Sequence, residues 1–115
     1  MRRLRLSGAG RRDVLRILSA SEERWGARGR ERYEALLNAS FRLIADELKN
    51  PLVQDCSNLQ RGLRCLHLKH SVRGSGSKVR HPVHIVYFRI VNPEIVEIVR
   101  VLHERMDQRR YFAME

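Results

Sequence analysis

The sequence predicts an α+β domain in which an antiparallel sheet packs against an N-terminal helical hairpin, in the order β-α-α-β-β-β. Three observations predict it. Apolar residues recur at spacings of three and four from Val14 to Leu48, with one break at Gly26. From Leu63 the pattern changes to alternating or β-branched runs separated by turn residues. The 115 residues leave room for one core, so residues 1–115 read as a single domain.

Each element has its own local reason. Leu4-Arg5-Leu6-Ser7 alternates and reads as a first strand, ended by Ser7-Gly8-Ala9-Gly10, which can turn and cap a helix. Val14, Ile17, Leu18, Ser21 and Trp25 then form an amphipathic stripe, which Gly26 closes because a left-handed C-terminal position suits glycine. A second helix is predicted from about Arg28 to Lys49 on the stripe Tyr33, Leu36, Leu37, Ser40, Phe41, Ile44, Ala45 and Leu48, and Asn50-Pro51 stops it. So short a connection makes the two helices antiparallel neighbours. Residues 51–62 lack a period and read as a loop. Three strands follow: one in which Leu66 and Leu68 alternate with Cys65, His67 and Lys69, a second over Val83–Val91, and a third over Ile95–Leu102 after the turn Asn92-Pro93. Ser71 to Pro82 is polar and glycine-rich, and predicts a mobile hairpin loop. The tail from Glu104 is polar apart from Tyr111-Phe112 and suits either a helical turn or a path along the sheet.

Composition narrows the partners. With 43% apolar and 31% charged residues the chain is globular in type, and its formal charge of +10 calls for an acidic partner, whether nucleic acid, membrane surface or protein. The charge is spread along the chain, so no separate basic tail carries it. Arginine outnumbers lysine 20 to 3, which favours bidentate contacts to phosphate or carboxylate, although a coding bias toward arginine accounts for it equally well. Cys56 and Cys65 show no CxxC spacing, so a disulfide framework is not expected, and Cys65 reads as a packed apolar residue. The start lacks the apolar stretch of a signal peptide and no run matches a membrane span; the expectation is a cytoplasmic protein with no membrane partner. HExxH, phosphate-loop and GxSxG motifs are absent, and the histidines and cysteines lack ligand spacing. Neither a metal nor a cofactor is expected.

Several stretches together resemble the ParE toxins of the RelE/ParE superfamily. They are Leu4-Arg5-Leu6-Ser7 through Arg12-Asp13-Val14, Glu23-Arg24-Trp25-Gly26 with Ala35 to Phe41, Arg61-Gly62-Leu63-Arg64, His84 to Ile90, and Val96 to Asp107. The last is the most specific, and the resemblance covers about residues 4–110. It implies a RelE-like fold and the toxin half of a type II toxin-antitoxin system. It also implies a ParD-like ribbon-helix-helix antitoxin as partner, DNA gyrase as target with growth arrest, and a toxin-antitoxin hetero-oligomer. Where family members pass from the second to the third strand by a short turn, this chain inserts roughly residues 71–82.

Two modes of action follow from the resemblance. A gyrase inhibitor needs no catalytic residue; Lys69, Arg89, Arg100, His103 and Arg105 are then the candidate target contacts, with Leu18, Trp25 and Tyr33 as candidate antitoxin contacts. The sister RelE branch cleaves ribosome-bound mRNA, which needs an acid or base near the 2′-hydroxyl and cations for the phosphate, and His67, Lys69, His84, Arg89, Arg100 and His103 are the residues available. Simple alternation puts Ile98, Arg100 and Leu102 on one side of the last strand and Val99, Val101 and His103 on the other. A charged Arg100 among apolar residues needs a partner, either Glu97 or an acidic helix residue. A basic nucleic-acid-binding module is a third reading. Only the charge supports it, since no helix-turn-helix, zinc finger or RNA-stacking pattern is present.

Overall fold

A computed structural model describes residues 2–46, 50–76 and 78–112. Its elements run β1 (Arg3–Leu6), α1 (Gly8–Asp46), β2 (Gln54–Asp55), β3 (Arg64–His67), a 3₁₀ turn over Leu68–Ser71, α2 (Val72–Ser75), β4 (His84–Asn92), β5 (Ile95–His103) and a 3₁₀ turn over Gln108–Tyr111. The five strands form one sheet in the order β1-β5-β4-β3-β2. Neighbours from β5 to β2 pair antiparallel, while β1 lies parallel to β5 with Leu4 opposite Val96 and Leu6 opposite Ile98. The sheet is mainly antiparallel, as expected, with one parallel pair, because the chain leaves β1 through a helix and returns to its side only with the last strand.

The helical hairpin rests on one residue. Gly26 interrupts α1 with φ 76 and ψ −173, a conformation that a side chain strongly disfavours. A straight helix of 39 residues would run about 58 Å, yet the longest extent of the molecule is 40 Å. The chain reverses at Gly26, and Leu18 of the first arm shares a core with Tyr33, Leu36, Leu37, Phe41 and Ile44 of the second. The expected residues 47–49 of the second helix, Leu48 included, lie outside the described residues.

That first core lies between α1 and one face of the sheet, where Leu66, Val86, Phe88, Val96, Ile98 and Val101 meet the helix stripe. A second, smaller core covers part of the other face: Cys56, Leu59, Leu63 and Cys65 pack with Tyr87 and Leu102, and Phe112 closes over Tyr87 with ring centroids 5.0 Å apart. Strands buried on both faces explain why Cys65 and Leu66, neighbours in sequence, are both buried.

Two segments depart from their expected irregularity. Residues 51–62, read as a loop, contain β2, a strand of two residues too short to show a period, whose Gln54 pairs with Cys65. The segment 71–82, read as a mobile hairpin loop, begins with a helical turn whose Val72, together with Val79 further on, packs against the main core; Ser77 lies outside the described residues. Leu68, expected in strand alternation, instead starts the preceding 3₁₀ turn and is fully buried there. The tail makes a 3₁₀ turn over Gln108–Tyr111 and delivers Phe112 to the second core; residues 113–115 lie outside the described residues.

Gly26→Ala is expected to cost about 1–3 kcal/mol, because alanine has no relaxed conformation at that backbone geometry. Urea unfolding would show a lower midpoint with an unchanged slope. Gly74→Ala, at a position without positive φ and with open space around it, should stay within about 0.5 kcal/mol of wild type.

Candidate functional site

Beyond Leu6 the first strand ends, and the start of α1 takes its place along the edge of β5. Ser7 Oγ accepts from the Gly10 amide at 2.9 Å, capping the helix, and donates to the Val99 carbonyl at 2.7 Å. Gly10 must be small here: a Cβ would lie 2.8 Å from the Ile98 carbonyl oxygen. One turn later Asp13, 5% exposed, faces β5. Its carboxylate accepts from Arg100 Nε at 2.7 Å, Arg100 Nη2 at 2.8 Å and the Val101 amide at 2.9 Å. The fork is a bidentate ion pair that fills both carboxylate oxygens. The Asp13 hydrogen bonds raise the Arg100 pKa, and the guanidinium lies over the Tyr111 ring at 5.0 Å.

A bulge makes this possible. Tyr87 pairs with Arg100 and Phe88 with Ile98, so Val99 has no opposite number. Uninterrupted alternation would put Ile98, Arg100 and Leu102 on one side. The bulge instead carries Val101 to the helix side with Ile98, and Leu102 and Val99 to the second core. Arg100's partner is the acidic helix residue of the two expected alternatives. Glu97 serves other arginines: its carboxylate accepts from Arg5 Nε at 3.0 Å and from Arg89 Nη2 at 3.0 Å, tying β1, β5 and β4 together across the outer face.

At the far end of β5 a group of titratable side chains gathers. His84 and His103 pair across β4 and β5 with rings edge to face at 5.6 Å. Tyr33 Oη from α1 shares a hydrogen bond of 2.6 Å with His84 Nδ1 and accepts from the Val83 amide at 3.3 Å. Burial, with His103 and His67 nearby, lowers the His84 pKa to about 4, so the ring is neutral at pH 7. Burial likewise pushes Tyr33 up to about 12. His67 Nε2 donates to Glu104 at 2.6 Å, and that hydrogen bond holds the Glu104 carboxyl below its usual range. His103 Nδ1 accepts from the Arg105 amide at 3.1 Å. Among the described residues no group of three or more His, Cys, Asp or Glu side chains is placed to hold a metal ion, and no helix is long and apolar enough to cross a membrane.

Lys69, His103 and Arg105 stand at this end of the sheet, with Lys69 and Arg105 exposed. Arg89 does not join them: it sits five residues along β4 from His84, about 17 Å at strand rise, on the outer face with Glu97. Of the hairpin residues, Leu18 and Tyr33 are buried in the core, whereas Trp25 is 63% exposed beside the turn with Arg24 over its ring at 5.3 Å. Leu15 is exposed on the same arm. Asp13 is the residue that motif reasoning passes over. Its signal is its place on the buried side of the first arm, in step with Gly10, Leu18 and Ser21, where a carboxylate must have a partner.

A helical hairpin on one face of a small mixed five-stranded sheet is a RelE/ParE-like fold. Residues 4–108 match the family described as ParE toxin of type II toxin-antitoxin system, parDE. Toxin ParE1 of Caulobacter vibrioides is 32% identical over 113 residues, which are 98% of this chain and 100% of that relative. The chain belongs to the ParE toxin family.

Asp13→Ala is expected to destabilise the fold by about 3–5 kcal/mol, since it leaves Arg100 and the Val101 amide without their acceptor. Chemical denaturation of the purified variant measures the loss. A second expectation concerns pH. The folded His84 pKa lies below its ordinary 6.5, so the unfolded chain takes up the proton first as pH falls. The stability contribution is complete above pH 6.5 and is lost between there and about pH 4, at roughly 1 kcal/mol per pH unit. Unfolding midpoints of wild type and His84→Gln across that window should converge as pH falls, because the variant lacks this titration.

Proposed function

We propose that this toxin arrests growth by binding DNA gyrase through basic residues, without chemistry of its own. A ParD-like antitoxin with a ribbon-helix-helix domain would neutralise it in a hetero-oligomer. The observation that carries this reading is how the candidate cations and bases are already engaged. Arg100 is forked on Asp13, Arg89 is bound to Glu97, His67 is bound to Glu104, and His84 is buried against Tyr33. A ribonuclease centre needs a proton-transfer group titrating near working pH and cations free to meet a phosphate. Groups committed to structural partners serve that chemistry poorly.

For gyrase the candidate contacts are the exposed Lys69 and Arg105, with His103 beside them; Arg89 and Arg100 act by holding the sheet that presents these groups. For the antitoxin, Trp25 and Leu15 are exposed apolar anchors on the first arm, and the net charge of +10 suits an acidic tail. Leu18 and Tyr33 then support that surface from beneath. The parDE toxin-antitoxin family description supports an antitoxin as partner.

A supercoiling assay with purified gyrase tests the proposal. Increasing toxin should abolish supercoiling, the paired antitoxin should restore it, and the double variant Lys69→Glu/Arg105→Glu should lower inhibitory potency at least tenfold while unfolding like wild type. Unchanged supercoiling at large excess, together with ribosome-dependent mRNA cleavage by the same preparation, would replace this reading with the ribonuclease one.

A further inference from the structure

We propose that Cys56 and Cys65 are a redox modification site: an intramolecular disulfide that forms in an oxidising thiol pool and fastens the edge strand β2 to the rest of the sheet. The two cysteines are free thiols whose sulfurs lie 2.7 Å apart. A disulfide needs about 2.05 Å, so the remaining approach is roughly 0.7 Å, within reach of side-chain rotation. The backbone is already set for it. Gln54 pairs with Cys65 and Asp55 with Arg64, and the Cys56 amide donates to the Leu63 carbonyl at 2.8 Å, so Cys56, one residue past β2, lies on the same face of the sheet as Cys65.

Their neighbours hold the thiols together. Leu59, Leu63, Tyr87, Leu102 and Phe112 enclose them, leaving Cys56 9% exposed and Cys65 6%. The ladder on the Cys56 side is only two residues long, and a strand so short at the edge of a sheet opens locally at little cost, which gives a small oxidant its entry. Without the bond, β2 is held by that ladder, by the second core and by Val53 just before it, which packs against the main core.

The chemistry is thiol exchange with a low-molecular-weight disulfide such as oxidised glutathione. The hydrogen bond shared with Cys65 holds the Cys56 thiol below the usual range, while the same bond and burial push Cys65 up. Cys56 is therefore the attacking thiolate. Its sulfur takes one sulfur of the glutathione disulfide and expels a glutathione thiolate. Cys65 then loses its proton to solvent, attacks the Cys56 sulfur and expels the second glutathione as thiolate. The protein loses two hydrogens and one glutathione disulfide is reduced to two thiols. Excess dithiol reverses both steps.

The consequence falls on the wall that β2 makes beside an open groove lined by Asn50, Gln54, Arg64 and Ile90. Cross-linked, that wall moves with the sheet. Reduced, it can part from it.

The test uses the full chain at defined ratios of reduced to oxidised glutathione. Thiols titrated after denaturation should fall from two to none, and the intact mass should drop by two hydrogens without a glutathione adduct. The product should remain monomeric on a non-reducing gel, and peptide mapping should recover Cys56 linked to Cys65. The melting temperature should rise by roughly 5–10 °C and return on reduction. Cys56→Ala/Cys65→Ala should show no such response. Two thiols persisting under conditions that oxidise a control dithiol would overturn the proposal, as would a stable glutathione adduct or a disulfide between chains. A cross-linked chain that melts where the reduced one does would overturn the fastening of β2.

Discussion

A single buried carboxylate coordinates three parts of this chain that are far apart in sequence. Asp13 belongs to the first turns of the helix, Arg100 and Val101 to the last strand, and Tyr111, stacked on Arg100, to the tail. Desolvating a carboxylate and a guanidinium costs several kcal/mol, and a lone ion pair rarely offsets it. Here the carboxylate receives two guanidinium donors and a backbone amide, so the low dielectric that makes desolvation costly also strengthens each of the bonds. The amide matters as much as the charge. β1 ends at Leu6, and without a replacement acceptor the Val101 N–H would sit unsatisfied on an otherwise buried edge.

The bulge at Val99 follows from that constraint. A regular strand would turn Arg100 and Val101 the other way, leaving a valine outside the main core and sending its amide away from the helix. One extra residue places Val101 in the core and its N–H on Asp13 together. The small Gly10 lets the helix approach the carbonyls of Ile98 and Val99, and the Ser7 cap fixes the register of that approach. Helix start, bulge and ion pair are thus one arrangement, and changing any of them displaces the other two.

How much of this could be read in advance varies with the range of the interaction. The helical arms and the strands β4 and β5 announce themselves by period, because each buries a continuous stripe or run. Gly26 is legible for the same reason: an interrupted stripe with a glycine at the break needs a backbone that only glycine adopts readily. β2 escapes because two residues carry no period, and its pairing depends on a second core whose members, from Cys56 to Phe112, are scattered over half the chain. The parallel pairing of β1 with β5 joins the two ends of the sequence and leaves no local trace. Arg100's need for a partner is visible in its apolar strand. The choice of Asp13 over Glu97 is not, because the bulge that decides it is a tertiary feature. Of the candidate contacts, Trp25 falls on the surface while Leu18 and Tyr33 fall inside it, since one helical stripe carries both the buried residues and their half-buried neighbours.

The same economy shapes what the protein can do to another molecule. Its most conspicuous polar groups are spent on its own fold: Glu97 joins three strands, Asp13 joins helix to strand, and the neutral His84 links Tyr33 to the sheet. What remains facing outward is a surplus of positive charge, carried above all by residues 64–80, a stretch of sequence that holds Arg64, Lys69, Arg73, Lys78 and Arg80 and no acid, and by the arginines of β1, together with isolated apolar residues such as Leu15, Trp25 and Met106. On the function proposed above, surface of that kind serves recognition through its shape and charge. The proposed acidic antitoxin would then have only to compete for surface.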